Sequence, residues 1–363
     1  MWLAVVRLDR LAISRFRCVA DASLALGPGI NLITGDNGAG KTSAIEALYL
    51  LSHGRSFRGR VRDGLIQHGE AALRVLAQWR DANATEHRAG IEHDGKQWQA
   101  RVNGASVKTL AELASRIALV CFEPGSHALL SGAAENRRRF VDWGLFHVEP
   151  GFLECWRCYA RALRQRNALL KSAHDEVSLE SWEHELQHSG DLITAMRISY
   201  LAQWELALLD ATAKFLPELP VAKVSFVRGW RAEDTLAAAL KNSRDRDQVM
   251  GFTSVGPHRA DWRINFGRLS AKDGLSRGQT KLTALACVLA QAQQFAAVHG
   301  DWPIVCLDDL ASELDQRHQQ HVIELVTASK AQVVITATEA IPSLATLQVS
   351  RFHVERGDFT ALL

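Results

Sequence analysis

The stretch GINLITGDNGAGKTSAIEALYLL, residues 29–51, decides the fold. It joins an apolar strand-like run at residues 29–34 to a helical pattern at residues 41–51 through the octapeptide GDNGAGKT, which satisfies the P-loop pattern GxxxxGK[ST]. The glycines let the backbone curl so that N–H groups point at phosphate oxygens. Lys41 then reaches the β- and γ-phosphates, and Thr42 offers a hydroxyl to Mg²⁺. The sequence therefore predicts an α/β domain that binds a nucleoside triphosphate.

A second motif of the same chemistry lies near the other end of the chain. Residues 304–309 read IVCLDD, an apolar strand that ends in two acids. This pattern is typical of a Walker B strand, in which Asp308 holds the metal and Asp309 stands next to it as the candidate base. A core strand that ends in a solvated acidic turn is the alternative, and the upstream P-loop favours the Walker B interpretation.

A third motif indicates the class of nucleotide-binding protein. Residues 275–279 read LSRGQ before a predicted helix, which is the signature of ABC-type ATPases. The Ser276 hydroxyl and the helix N-terminal amides are suited to the γ-phosphate of a nucleotide held by another subunit. P-loop, signature and Walker B come in the required order, and the segment ASELD at residues 311–315 follows as a D-loop.

The middle of the chain follows a different pattern. The first third reads as strands, at residues 3–8, 23–26 and 29–34 among others, with one helix. Residues 136–215 carry helical spacing in two long stretches that the polar residues 172–181 separate. We expect an antiparallel helical arm inserted into one α/β domain. The predicted divisions are 1–125 for the N-terminal half of the head, 126–220 for the arm, and 221–363 for the C-terminal half.

Composition excludes several classes of protein. The 363 residues are 47% hydrophobic and 23% charged, which suits a folded protein with a large core. No apolar stretch reaches the ~18 residues of a membrane span, and Arg7 interrupts the apolar N-terminus, so we expect a cytoplasmic protein. Cys155 and Cys158 form a CxxC without the further ligands that a structural zinc needs, so they read as two small apolar side chains.

Two basic clusters could contact nucleic acid. Residues 55–62 contain Arg55, Arg58, Arg60 and Arg62 and no acid. In the arm, Arg157, Arg161 and Arg164 share one helical stripe. The functional interpretation is phosphate contact on DNA. The alternatives are solvated faces or, for Arg58, a contact to nucleotide within its own subunit.

The motifs together resemble the RecF family of bacterial recombination and repair ATPases, relatives of the heads of SMC proteins. The resemblance spans essentially the whole chain. Besides the three ATPase motifs it rests on SRFR at residues 14–17, SHGRSFRG at 52–59, NRRRFVDW at 136–143 and TSVGPHRAD at 253–261. It implies an ABC/SMC-type P-loop ATPase head whose long coiled coil is reduced to a short arm.

The resemblance also implies partners and an activity. Proteins of this family bind ATP, Mg²⁺ and DNA, dimerise with ATP between the subunits, and work with RecO and RecR to load RecA at single-strand gaps. We therefore expect an ATP-dependent homodimer that acts on gaps, duplexes or junctions in DNA replication, recombinational repair and the SOS response. We also expect a slow ATPase activity that DNA stimulates.

Site residues carry over from the family by position. Asp308 and Thr42 would bind Mg²⁺, and Asp309 with Lys41 would serve catalysis. Ser276 and Gln279 would complete the nucleotide site of the partner subunit. The triphosphate would be bound by the P-loop and the residue after it, namely Gly35, Asp36, Asn37, Gly38, Ala39, Gly40, Lys41, Thr42 and Ser43.

The chain departs from transporter ABC domains at two positions. Asp309 stands where those domains have a glutamate, and a shorter carboxylate fits slow hydrolysis. No histidine follows the apolar residues 333–335, so the switch role falls on Thr336 or Thr338.

Two other functions are compatible with an intact nucleotide site. A nucleotide-gated scaffold would bind ATP and hold partners without turnover. A transporter ATPase subunit would place its signature much closer to the P-loop, whereas here the helical segment separates Lys41 from Ser276. That separation argues against the transporter.

Overall fold

The computed structural model describes residues 7–59, 64–81, 83–171, 176–220, 222–272 and 274–362. The chain forms two units, one of Met1–Ser126 with Gln291–Leu363 and one of His127–Ala290. The predicted divisions 126–220 and 221–363 differ from these units, because residues 221–290 group with the helical segment. Among the described residues, no helix is both long enough and apolar enough to cross a membrane.

The first unit contains an antiparallel sheet. Its strands in chain order are β1 (Leu8–Phe16), β2 (Val19–Ala25), β4 (Leu73–Arg80), β5 (Glu86–His93), β6 (Trp98–Val102) and β7 (Ala105–Ser106). Their order in the sheet is β2-β1-β4-β5-β6-β7. Buried and more exposed residues alternate along β1 and β4. Apolar side chains such as Leu11, Ile13 and Val75 are buried on one face of the sheet, and the other face is more open to solvent.

The second sheet of this unit positions the P-loop and the Walker B acids. Its strands are β3 (Ile30–Thr34), β8 (Leu119–Phe122), β12 (Ile304–Leu307), β13 (Val333–Ala337), β14 (Val349–Glu355) and β15 (Asp358–Leu362). The order is β15-β14-β3-β13-β12-β8, and every neighbouring pair except β14–β15 is parallel. The P-loop follows β3 and the Walker B acids follow β12, so β13 lies between the two motifs. Parallel strands present their carboxyl ends at one edge, which brings these motifs together.

Helices complete the first unit. They are α1 (Lys41–His53), α2 (Leu110–Ala114), α10 (Leu310–Glu313) and α11 (Gln316–Ala328). Helix α1 contacts strands of both sheets, and its side chains Ile45, Leu48 and Leu51 are fully buried. Burial of such aliphatic side chains stabilises the fold by about 1.5–3 kcal/mol each. The helix that follows the P-loop is therefore also the centre of the core.

The second unit is mainly helical. Its helices are α3 (Ala128–Ser131), α4 (Ala134–Val148), α5 (Phe152–Leu169), α6 (Glu176–Phe215), α7 (Leu236–Asn242) and α8 (Arg244–Met250), and α9 (Arg277–His299) contains the boundary between the units. A small antiparallel sheet has the strands β9 (Ala222–Val227), β10 (Asp261–Phe266) and β11 (Leu269–Ser270), in the order β11-β10-β9. Strand β9 packs on α6, which explains why residues beyond 220 belong to this unit.

The helical arm packs tightly on itself. Helices α5 and α6 run antiparallel, since Cys155 contacts Ser189 while Arg166 contacts Glu183. A Cβ atom on Gly144 of α4 would lie 2.0 Å from the Tyr200 hydroxyl of α6, so only glycine permits this approach. The Cys155 thiol donates to the Ser189 carbonyl, and no metal-binding cluster of His, Cys, Asp and Glu occurs in the part of the chain that the structure describes.

Several predicted elements differ from the observed ones. Strand β1 covers Leu8–Phe16 and so overlaps the strand predicted at residues 3–8 only at Leu8, while residues 3–6 of that prediction lie outside the described residues. The separator predicted at residues 172–181 is shorter, because α6 already begins at Glu176. Sequence analysis did not predict α7, α8 or the hairpin β14–β15. Helices of seven residues are too short for a periodic pattern to emerge.

Candidate nucleotide-binding site

The P-loop connects β3 to α1 in a conformation that needs glycine. Gly35, Gly38 and Gly40 have φ angles of 154°, 81° and 121°, which side-chain-bearing residues rarely adopt. A Cβ atom on Gly35 would also lie 2.2 Å from the carbonyl oxygen of Val354. Gly40 is the N-cap of α1 and supplies no side-chain cap, so the first amides of the helix remain available to an anion.

Neighbouring strands hold the loop in place. The Gly357 N–H, in the turn between β14 and β15, donates to the Ala39 carbonyl at 2.8 Å. The buried side chain of Asn31 donates to the Val333 carbonyl at 3.2 Å and accepts from the Gly27 N–H at 2.7 Å. The loop is therefore preorganised by the sheet.

Lys41 points back over the mouth of the loop. Its Nζ atom donates to the carbonyl oxygens of Gly35 at 2.7 Å and Asp36 at 2.9 Å, and the residue is buried. This position suits the role that the sequence predicts for the ammonium group, which is to face the β- and γ-phosphates.

A cleft of about 570 Å³ lies in front of the P-loop. Asn37, Gly38, Gly40, Lys41, Thr42 and Ser43 line it from one side, and Asp308 and Asp309 from the Walker B strand. Arg17, Cys18, Phe57 and Arg58 contribute further walls, with Gly64, Glu123 and Pro124. Of the residues predicted to bind nucleotide, the structure thus assembles the P-loop and both Walker B acids in one cleft.

Asp308 is the centre of a buried hydrogen-bond network. Its Oδ1 atom accepts from the hydroxyl of Thr42 at 3.0 Å and from the hydroxyl of Thr336 at 2.6 Å. Burial raises the pKa of Asp308 above its usual value, while the two hydroxyl donors and the charge of Arg58 act in the opposite direction. The network joins the P-loop, Walker B and β13 through one carboxylate.

The same threonine fixes the backbone at Asp309. The Asp309 N–H donates to Thr336 Oγ1 at 2.8 Å, and Asp309 adopts a left-handed conformation with φ 54° and ψ 39°. Ser312 donates to Asp309 Oδ1 at 2.9 Å. The sequence left the switch role open between Thr336 and Thr338, and only Thr336 is observed to contact both aspartates.

The oxygen atoms at this edge suit a hard cation. Mg²⁺ prefers oxygen ligands and is held by one or two protein groups together with phosphate and water. The hydroxyl of Thr42 lies 3.0 Å from Oδ1 of the Asp308 carboxylate, so two oxygen groups from different motifs converge at this edge of the cleft. The donor set fits the predicted Mg²⁺ site.

Sequence analysis did not predict a buried ion pair that lies next to the cleft. Arg17 donates through Nη2 and Nε to the two carboxylate oxygens of Glu46, at 2.7 and 3.1 Å. Ser56 donates to the same carboxylate at 2.5 Å, and the Glu46 side chain is fully buried. Glu46 of α1 thus connects the segments SRFR and SHGRSFRG. In the sequence, the presence of both segments was the one feature that pointed to this contact.

The signature residues lie at the start of α9 in the second unit. Ser276 Oγ accepts from the Gln279 N–H at 3.2 Å, and Gln279 Oε1 accepts from the Ser276 N–H at 3.0 Å. This reciprocal pair is a capping box. Ser276 is exposed and Gln279 is half-buried, so the Ser276 hydroxyl at the N-terminus of α9 faces solvent.

The residues predicted to contact DNA lie in different settings. Arg157, Arg161 and Arg164 are exposed on α5, and the Arg161 guanidinium lies 5.6 Å from the ring centre of Trp182. Arg58 lines the nucleotide cleft, which favours its alternative role as a nucleotide contact. Arg55 is half-buried next to Tyr49, and burial raises the pKa of Tyr49 to about 12 while the charge of Arg55 acts in the opposite direction. Arg60 and Arg62 lie outside the described residues.

The segment TSVGPHRAD acquires a structural role. His258 Nε2 contacts the Thr253 carbonyl at 3.0 Å, and since a carbonyl only accepts, this nitrogen carries the proton. Nδ1 then accepts from the Tyr159 hydroxyl at 2.6 Å. Burial lowers the pKa of His258 to about 4, so the imidazole is neutral at pH 7. Arg197 adds a bond to the Pro257 carbonyl at 2.7 Å, so this turn is held by the arm.

Comparisons with known proteins identify the family of this chain. The family model for the RecF/RecN/SMC N terminal domain matches residues 7–356. The DNA replication and repair protein RecF of Stenotrophomonas maltophilia (strain R551-3) is 48% identical over 98% of this chain and 100% of that protein.

Solved structures show the same fold. The recombination mediator protein RecF with ATP, of the RecFOR pathway, superposes with a TM-score of 0.89 at 24% identity, covering 99% of this chain and 98% of that one. The Smc head domain of Pyrococcus furiosus, with an extended coiled coil and bound to the C-terminal domain of ScpA, gives 0.59 at 15% identity over 98% and 96%.

Proposed function

This chain belongs to the RecF/RecN/SMC N-terminal family, and we propose that it is an ATP-binding protein of DNA replication and repair whose nucleotide state controls its assembly on DNA. The observation that carries the proposal is the cleft in which Lys41, Thr42 and Asp308 converge. The 48% identity to a DNA replication and repair protein over nearly the whole chain supports the biological role.

Nucleotide binding uses the preorganised P-loop. The backbone amides of residues 35–43 bind the phosphates, and Lys41 exchanges its two carbonyl partners for phosphate oxygens. Thr42 and Asp308 hold Mg²⁺, which neutralises charge on the transferred phosphoryl group when it is bound. Arg58 lies on the cleft wall and adds a positive charge towards the nucleotide of its own subunit.

Hydrolysis depends on Asp309. Its carboxylate lines the cleft, and the bonds to Ser312 and Thr336 hold the residue in its left-handed conformation. We infer that it orients or deprotonates the attacking water as a general base. Because Asp is one methylene shorter than Glu, the carboxylate stands farther from the phosphates, and we expect slow turnover that DNA stimulates.

Dimerisation follows from the position of the signature. Ser276 is exposed at the helix N-terminus of α9, where amide groups favour an anion. We infer that Ser276 and Gln279 contact the γ-phosphate of ATP held by a second copy, so that ATP joins two subunits related by a two-fold axis. Such a contact requires the Gln279 side chain to leave its cap position.

DNA binding uses the arm. Arg157, Arg161 and Arg164 are exposed along α5, and phosphate contacts by such a stripe are independent of base sequence. A dimer doubles the stripe, so ATP strengthens binding to gaps, duplexes or junctions. RecO and RecR are the partners expected from the family, and RecA is the protein loaded at the gap.

The test compares wild-type protein with Lys41→Ala. Equilibrium binding of ATP, sedimentation with ATP or ADP, and binding to a gapped duplex across a salt titration are measured together. Wild type should bind ATP, dimerise with ATP but not with ADP, and bind DNA more tightly with ATP; Lys41→Ala should lose all three. Arg277→Ala, a change at the variable position of the signature that keeps the cap residues Ser276 and Gln279, is a matched control that should bind ATP normally. A steady-state ATPase assay with and without gapped DNA completes the test, because ATP binding and dimerisation without any hydrolysis would favour the nucleotide-gated scaffold.

A further inference from the structure

An aromatic side chain is displayed on the surface directly after α8. Phe252 is 37% exposed, and the guanidinium of Arg259 lies 5.2 Å from its ring centre. Arg259 is itself anchored, because its Nη2 atom donates to the Thr253 carbonyl at 3.2 Å. The two side chains form a cation–π pair at the surface.

Buried contacts fix the backbone that carries this pair. The Thr253 N–H and hydroxyl donate to Asn167 Oδ1 at 2.8 and 2.7 Å, and Arg166 Nη1 donates to Thr253 Oγ1 at 2.9 Å. Thr253 and Arg166 are buried. Gly251 ends α8 in the left-handed conformation. The exposure of Phe252 is therefore imposed by a rigid support, which lowers the entropy lost when a ligand binds.

Positive charges flank the pair. Arg246 hydrogen-bonds to the Ser254 hydroxyl, and the Lys171 side chain lies beside Gly251, 3.4 Å from the position of a Cβ atom there. Asp245 is the exposed acid of α8, whereas Asp247 is buried and paired with Arg166 at 2.8 Å. We call Phe252, Arg259, Arg246 and Lys171 the platform.

The platform lies at the end of the arm stripe. Arg157, Arg161, Arg164 and Lys171 follow one another at helical spacing along α5 and just beyond its end, a line of about 21 Å at 1.5 Å per residue. Phosphates that run along the stripe therefore arrive at Lys171, next to Gly251 and Phe252.

We propose that the platform binds single-stranded DNA next to the duplex that the arm stripe holds. A base stacks on the Phe252–Arg259 pair, and Lys171 and Arg246 contact the neighbouring phosphates. Cations alone would suit a duplex, but paired bases are already stacked and offer no face to an exposed ring. This inference rests on the proposed function and assigns to named residues the contact with the single-stranded part of a gap or junction.

The test measures the affinity of the ATP-bound protein for fluorescent oligo(dT) and for a blunt duplex. Phe252→Ala should weaken oligo(dT) binding about 5- to 100-fold, the range for loss of one base stack, while duplex affinity changes less than about twofold. Phe252→Trp should retain single-strand binding. Val249→Ala is the matched control, because Val249 is an 89% exposed apolar residue of the same helix end without a ring.

A second measurement locates the base. Oligonucleotides that contain 5-iododeoxyuridine are irradiated with the wild-type protein, and we expect the cross-linked peptide to contain Phe252. Phe252→Leu keeps an apolar side chain and removes the ring, so it tests the proposal even if Phe252→Ala does not fold.

Three outcomes separate the possibilities. Unchanged oligo(dT) affinity in both Phe252→Ala and Phe252→Leu would overturn the platform. Equal losses on duplex and single strand would also overturn it, since stacking would then not be the cause. If wild-type protein bound no DNA with ATP, the proposed function would fail, and the platform with it.

Discussion

Replacement of Thr336 by valine tests whether β13 couples the two Walker motifs. Valine has the shape of threonine, so the change creates no cavity in a position that is fully buried. It removes the hydroxyl that donates to Asp308 at 2.6 Å and accepts from the Asp309 N–H at 2.8 Å. No other residue contacts both aspartates in this way in the described site.

The expected loss of stability follows from these two bonds. A hydrogen bond to a charged group contributes about 1.5–3 kcal/mol, and a buried N–H left without a partner costs about 1–3 kcal/mol. Because the backbone at Asp309 can relax towards solvent, we expect the free energy of unfolding of the nucleotide-free protein to fall by about 3 kcal/mol. Urea denaturation measures this change.

The effect on ligand binding should depend on Mg²⁺. Loss of one donor raises the pKa of Asp308 further and lets its carboxylate turn, which weakens metal affinity about 10- to 100-fold. ATP affinity should therefore fall in Mg²⁺ and stay unchanged in EDTA. Thr338→Val is the matched control, because Thr338 is a half-buried threonine two residues farther along the chain. If Thr336→Val bound ATP with Mg²⁺ as tightly as wild type and unfolded at the same urea concentration, the coupling role of Thr336 would be refuted.

Four further predictions follow from the site and the arm. Asp309→Asn keeps the size of the side chain but removes the general base, so ATP should still bind while the hydrolysis rate falls about 100-fold or more in a single-turnover assay. A wild-type rate would show that another residue is the base. Ser276→Arg should block ATP-dependent dimerisation in sedimentation yet spare ATP binding by the monomer, and an ATP-induced dimer of this variant would contradict the assignment. Arg166→Met leaves the buried acid Asp247 without its cation, so the free energy of unfolding should fall by about 3–5 kcal/mol in urea denaturation, and a loss below about 1 kcal/mol would show the pair to be unimportant. Because the folded-state pKa of His258 is lowered to about 4, the unfolded chain binds more protons between about pH 6.5 and pH 4, and stability is lost as pH falls through that window. The wild-type advantage over His258→Gln in urea denaturation should shrink by about 3 kcal/mol from pH 7 to pH 4, and an advantage independent of pH would place the histidine in another protonation state.

The sequence predicted those motifs whose function depends on the backbone conformation of a few consecutive residues. The P-loop requires glycines at fixed positions, because Gly35, Gly38 and Gly40 adopt φ angles that other residues avoid. The strand at residues 304–307 was likewise predicted at its observed bounds, and α11 begins at Gln316 directly after its N-cap Asp315. Apolar runs between turn signals and a good N-cap such as Asp315 are local features.

Contacts between distant segments were not readable in this way. Thr336 was one of two candidates until the sheet order β3-β13-β12 placed its strand between the two motifs. Arg166 and Arg164 look alike in the sequence of α5, yet Arg166 is fully buried between Glu183 and Asp247 while Arg164 is exposed. The difference depends on α8, a helix too short to be predicted from periodicity.

The sequence by itself therefore determined the family, the nucleotide chemistry and the order of the ATPase motifs, because each resides in a few consecutive residues. Only the tertiary structure decided which threonine contacts the catalytic edge, that Arg58 lines the nucleotide cleft, and that Phe252 is displayed beside the arm. The physical reason is that the burial of a side chain and its bonding partner depend on which segments pack against it. Those segments lie far away in the sequence, so a local pattern does not reveal them.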